Sequence, residues 1–181
     1  MTLETERLLL RPWEDGDAAE LYRHACDPAV GPRAGWPVHI DEEDSLRVIR
    51  GALSAPETYA VVWKETGLPV GSIGLKTPEV CDEDVPADAL QKEIGYWVGQ
   101  AYWGKGIIPE AVRAMLRHGF ENLGCAVIWC GHYDFNDQSR RVIEKCGFHR
   151  RLSCKTTNLL GDTHETVFYA LTREEWETSC R

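Results

Sequence analysis

The residues best placed to do chemistry are Trp103-Gly104-Lys105-Gly106-Ile107-Ile108-Pro109-Glu110-Ala111. They follow an apolar run, Ile94-Gly95-Tyr96-Trp97-Val98, and precede a segment with helical spacing. A glycine-rich turn between a strand and a helix N-terminus is a natural anion site. Its backbone N–H groups point outward unpaired, and the helix dipole favours negative charge. The chemistry implied is the holding of a phosphate-bearing ligand. A Walker loop requires GxxxxGK[ST], whereas Lys105 lies between the glycines and no Ser or Thr follows in place. A dinucleotide loop requires GxGxxG and an acid about 20 residues on. The third glycine is replaced by Pro109, and that acid is missing.

Several elements must position this turn. Leu8 to Arg11 reads as a short strand, Asp15 to about His24 as a helix, and Asp27 to Pro37 as loop. A second helix, opened by Asp41 or Asp44, runs to about Leu53. Thr58–Trp63 and Val70–Leu75 form a hairpin, and Thr77 to Leu90 an acidic exposed loop. Lys92 to Gly99 is a strand. Glu110 to Asn122 is the clearest helix, with Val112, Met115, Leu116, Phe120 and Leu123 at helical spacing. Ala126 to His132 is a strand, and Asn136 or Asp137 caps a helix to Cys146. Two long strands, about 148–159 and 163–171, precede a short helix capped by Thr172. The middle β-α-β unit is expected to be a right-handed parallel crossover within a mixed sheet.

Composition fits one domain over residues 1–181. Net charge −9 argues against nucleic acid as a partner. No apolar run approaches 18 residues, so no membrane span is expected. Seven cysteines form no CxxC pair and no zinc-spaced cluster. No metal is therefore expected, and the thiols read as reduced, mostly buried residues of a cytoplasmic protein.

Without the Walker and dinucleotide patterns, the pyrophosphate of coenzyme A is the remaining common reading, and here the motifs carry a resemblance. The chain resembles the GNAT superfamily of acetyl-CoA-dependent N-acetyltransferases, in particular its ribosomal-protein N-terminal acetyltransferase-like branch. Four segments carry it: Thr5-Glu6-Arg7-Leu8-Leu9-Leu10-Arg11, Glu93-Ile94-Gly95-Tyr96-Trp97-Val98, Tyr102-Trp103-Gly104-Lys105-Gly106-Ile107, and Asn136 through Phe148. Trp103 stands where the family commonly has Gln or Arg, and Ile108 at the last small position of the turn.

The resemblance implies an α+β (mixed α/β) single domain. Its central mixed, mostly antiparallel seven-stranded sheet has splayed parallel central strands and helices on both faces. It also implies acetyl-CoA as cosubstrate, with pantetheine between strands 93–98 and 126–132. Backbone around Val98, the turn Trp103, Gly104, Lys105, Gly106 and Ile107, and the side chains of Asn136 and Ser139 would bind it. Asn136 reads equally as a helix cap. Glu93 is the candidate base acting through water, with His164 and Glu165 as alternatives, and Ser139 or Tyr133 the candidate acid. An amine of low pKa needs no strong base. Trp36 and His39 are the candidate acceptor-binding residues, and the acidic loop 79–88 reads either as a solvated loop or as an attractor of a cationic substrate. The expected activity is acetyl transfer to a primary amine, on a protein N-terminus or a small molecule, by direct attack in a ternary complex. The alternative is a CoA-binding sensor or interaction module without turnover. Monomer or homodimer is the default assembly.

Overall fold

The computed structural model describes residues 1–81, 85, 86 and 88–179. Among these, eight strands form one sheet in the order β1-β2-β3-β4-β5-β6-β8-β7. The strands are β1 (Leu3–Glu4), β2 (Leu8–Arg11), β3 (Thr58–Trp63), β4 (Leu68–Lys76), β5 (Gln91–Val98), β6 (Val127–Tyr133), β7 (His149–Thr157) and β8 (Thr163–Thr172). The helices are α1 (Ala18–Ala25), α2 (Gly31–Ala34), α3 (Glu42–Arg50), α4 (Ile107–Arg117), α5 (Asp137–Lys145) and α6 (Arg173–Ser179). The count of eight corrects the expected seven. Two residues, Leu3 and Glu4, pair antiparallel with Leu10 and Leu9, and so short a strand shows no alternation in sequence. The expected loop 27–37 contains the α2 turn, entered through Gly31-Pro32. Of the acidic loop, Asp82, Glu83, Asp84 and Ala87 lie outside the described residues, as does Cys180.

Every strand pair is antiparallel except β5–β6. That parallel pair registers Gln91 with Val127, Lys92 with Ile128 and Glu93 with Trp129, and the pairing ends there. Beyond it Ile94–Val98 and Cys130–Tyr133 diverge. Apolar alternation assigns the faces of the sheet. Ile94, Tyr96, Ile128 and Cys130 pack with Ile107, Ala111, Met115 and Ile143 of α4 and α5. Ala60, Val62 and Trp97 pack on the other face with Leu21, Ala25 and Ile49 of α1 and α3.

Helix α4 begins three residues earlier than the spacing predicts, and Gly106 caps it. The helix widens into a π turn at His118–Asn122. Arg173 donates to the Phe120 carbonyl in this turn and to the Cys125 carbonyl beyond it. Of the six described cysteines, only Cys125, Cys130 and Cys146 are buried; Cys26 and Cys81 are exposed and Cys154 intermediate. The expectation of mostly buried thiols is thus corrected.

Candidate active site

The divergence of β5 and β6 opens a cavity of about 740 Å³. At one mouth lies the glycine turn. Gly104 and Gly106 have φ of +74° and +75°, a left-handed conformation costly for residues with a Cβ. The turn and the first residues of α4, Ile107 to Pro109, line the cavity. Ile108, which departs from the family pattern, lines the cavity yet is 5% exposed and packed into the core. Arg33, Arg141 and Lys145 also line the cavity. An anionic, phosphate-bearing group fits this donor set.

The turn is anchored from behind. Glu110 accepts from the Thr5 hydroxyl at 2.6 Å and from Arg7 N and Nε at 2.9 and 2.7 Å. Arg7 Nη1 donates to the Lys105 carbonyl at 3.0 Å. Burial alone would raise the Glu110 pKa. The Thr5 hydroxyl, then Arg7, outweigh it and hold the carboxyl below its ordinary value. A depressed folded-state pKa gives stability that is present above the unfolded pKa of about 4.3 and lost as pH falls through the folded value. Glu110→Gln should therefore cost about 1–3 kcal/mol at pH 7. The gap to wild type should close as pH falls below about 4. Urea unfolding at the two pH values checks both.

Of the other expected cofactor residues, Trp103 and Val98 line the cavity and bond each other, with Trp103 Nε1 donating to the Val98 carbonyl at 3.0 Å. Arg33 lies over the Trp103 ring at 5.6 Å. The Lys105 ammonium instead sits over Tyr102, 5.0 Å from its ring centre, and Lys105 is not among the cavity-lining residues. Asn136 caps α5, its Oδ1 accepting from Ser139 N at 3.2 Å while its Nδ2 donates to the Arg33 carbonyl at 3.4 Å. It therefore ties α5 to α2 across the cavity.

Ser139 Oγ is 2.9 Å from Tyr96 Oη. This bond joins β5 to α5 beside the open seam, a role for Tyr96 that its place in the strand motif does not by itself declare. The available signal was a polar tip in the period-two stripe Ile94, Tyr96, Val98. Burial, then the neighbouring Cys130, drives the Tyr96 phenol well above its ordinary pKa, so it stays protonated.

The expected catalytic residues Glu93, Tyr133 and Ser139 all line the cavity. Tyr133 Oη lies against the backbone of Gly35, and the ring stacks on Phe135 at 5.5 Å. Burial, then Glu79, raises its pKa. Glu93 is 6% exposed, and both its oxygens are engaged. Oε1 pairs with Lys76 Nζ at 3.0 Å, and Oε2 accepts from Glu79 N at 3.0 Å. Lys76 also pairs with Glu79 at 3.0 Å. The register Lys76↔Glu93 between β4 and β5 imposes this arrangement. His164 packs against Tyr133 and Phe135. Trp36 lines the cavity, as expected. His39 does not: it is buried, bonded to Ser45 Oγ of α3 at 2.8 Å, and burial lowers its pKa. Its ring lies 5.5 Å from that of Trp36. Among the described residues no cluster of His, Cys, Asp and Glu has metal-binding geometry.

The model of the GNAT acetyltransferase domain matches residues 7–149. The chain belongs to the GNAT acetyltransferase family. Ribosomal-protein-serine acetyltransferase of Escherichia coli (strain K12) is 30% identical to this N-acetyltransferase over 172 residues, covering 90% of each chain. A GNAT-family acetyltransferase structure from Bacillus anthracis superimposes with a TM-score of 0.80 at 24% identity, over 96% of this chain and 99% of that one. The structure of AAC(6')-Ib in complex with ribostamycin and coenzyme A superimposes with a TM-score of 0.72 at 20% identity, over 95% of this chain and 97% of that one. GNAT acetyltransferases use acetyl-CoA to acetylate amines, and the glycine turn and open seam suit that cosubstrate. No helix among the described residues is long and apolar enough to cross a membrane.

Proposed function

We propose that the chain transfers acetyl from acetyl-CoA directly to a primary amine within a ternary complex, with Ser139 assisting departure of the thiolate. The carrying observation is the 2.9 Å contact between Ser139 Oγ and Tyr96 Oη beside the seam. The amine nitrogen attacks the thioester carbonyl, the C–S bond breaks and its electron pair stays on sulfur. With Tyr96 as the donor in this bond, the Ser139 proton is free to face the sulfur. The hydrogen bond steadies the developing thiolate, and the amine proton leaves to solvent.

Glu93 acts here as a fixed charge, since Lys76 and the Glu79 N–H occupy its oxygens. An α-amine with a pKa of about 8 supplies enough neutral form without a strong base. The rate is then expected to rise with pH along the acceptor's own ionisation. The relative named for ribosomal-protein serine acetylation supports a protein amine as acceptor. The neighbour solved with ribostamycin keeps a small-molecule amine open.

Cys130 lines the cavity, but burial, then Glu93, raises its thiol far above the physiological range. A thiol held protonated is a poor nucleophile. Cys130→Ala should retain acetyl transfer, and intact-mass analysis should show no acetyl-enzyme. The activity itself is tested by mass spectrometry of acetylated products from a panel of amines and peptides. Thiol reagents would also report the exposed Cys26 and Cys81. Acetyl-CoA binding with no acetylated product across the panel would overturn the proposal.

A further inference from the structure

The acceptor side of the cavity contains a place where the chain supplies no side chain. Period-two alternation puts Glu93, Gly95 and Trp97 on the face of β5 opposite Tyr96. Glu93 and Trp97 stand about 13 Å apart along the strand. Between them, a Cβ built at Gly95 would meet nothing within 4 Å, and the Gly95 backbone avoids positive φ. Glycine is therefore not required there for the turn of the chain or for packing. A mid-strand glycine without such a reason commonly marks close approach of a ligand.

Aromatic rings line the same cavity. Trp36 packs edge-on to Trp97 with centroids 5.6 Å apart. Tyr133, fixed against Gly35, lines the same cavity from β6. At the far end, Glu79 and Glu93 share the single ammonium of Lys76, which leaves that end net negative. We infer that Gly95 is the floor of the acceptor slot and its specificity-determining position. The slot takes a primary amine carried on an unbranched or planar apolar body, the ammonium drawn by the carboxylates and the body lying along the indoles. This inference rests on the amine-acetylation reading above.

The test compares wild type with Gly95→Ala and Gly95→Val, using n-butylamine, 2-phenylethylamine and 1-adamantanemethylamine. Wild type should favour the first two over the third by at least about tenfold in kcat/KM. Gly95→Val should raise the KM for 2-phenylethylamine at least about tenfold, with Gly95→Ala between, while the acetyl-CoA KM stays within about twofold. Equal kinetics in all three proteins, or a change confined to acetyl-CoA, would overturn the slot. Titration of 2-phenylethylamine into CoA-saturated protein, followed by calorimetry, separates the slot from turnover. Saturable binding that Gly95→Val abolishes, without any acetylated product, upholds the slot and overturns the transferase mechanism. Absence of saturable binding in wild type overturns the slot.

Discussion

Ser139→Ala is expected to lower kcat about 10²-fold while leaving the acetyl-CoA KM near its wild-type value. Ser139 is held on two sides. Its backbone N–H is fixed by Asn136 Oδ1, and its oxygen sits 2.9 Å from Tyr96 Oη. Removing the hydroxyl leaves the helix cap intact, because Asn136 bonds the backbone N–H of residue 139 rather than its side chain. Cosubstrate binding and the fold should therefore survive, and the loss should fall on the chemical step. Tyr96→Phe should lower kcat about tenfold, the scale of one hydrogen bond in a low-dielectric site. Ser139→Thr keeps a hydroxyl and should recover part of the rate. Steady-state kinetics with acetyl-CoA and a responsive amine decide this. A Ser139→Ala enzyme with undiminished kcat would remove Ser139 from the mechanism.

Gly106→Val should raise the acetyl-CoA KM about 10²-fold. Gly106 caps α4 with φ +75° and ψ 12°. A β-branched residue in that region costs on the order of 1–3 kcal/mol, and the turn relieves the strain by moving. The movement reaches the α4 N–H groups and the Lys105 carbonyl that Arg7 holds. Two to three kcal/mol of lost alignment corresponds to about a hundredfold in affinity. Kinetics and a thermal melt on the same preparation separate lost binding from lost folding. An unchanged KM in a folded Gly106→Val protein would place the pyrophosphate elsewhere.

How much the chain declares of itself depends on the range of the interaction. Val112, Met115, Leu116 and Phe120 mark α4 because helical spacing is local. The start of that helix is less legible, because Pro109 resembles a first-turn residue while Gly106 caps it three residues upstream. The glycine turn and the Asn136 cap are also local, and both are visible as motifs. The partners of Glu93 are not, since the β4–β5 register decides that Lys76 lies beside it. His39 illustrates the same limit: its neighbours in sequence are polar and apolar alike, and its burial comes from Ser45 of α3, the Ala25 carbonyl and the Trp36 ring. Tyr96 and Ser139 stand 43 residues apart, and their contact is set by how far β5 and β6 diverge.

That divergence gives the sheet a seam. Among the described residues, three register pairs join strands β1–β5 to β6–β8 along the backbone, and past Glu93 and Trp129 the two strands share none. Strand edges that face each other across a gap form a template for an inserted strand. An extended, amide-bearing ligand arm in that gap would complete the sheet rather than decorate it. Occupancy and rigidity are then one equilibrium: at a free ligand concentration 100 times Kd, unfolding becomes harder by about 2.7 kcal/mol. The amides flanking the seam, near Val98 and Cys130, are where slowed hydrogen exchange would record the closing of the sheet.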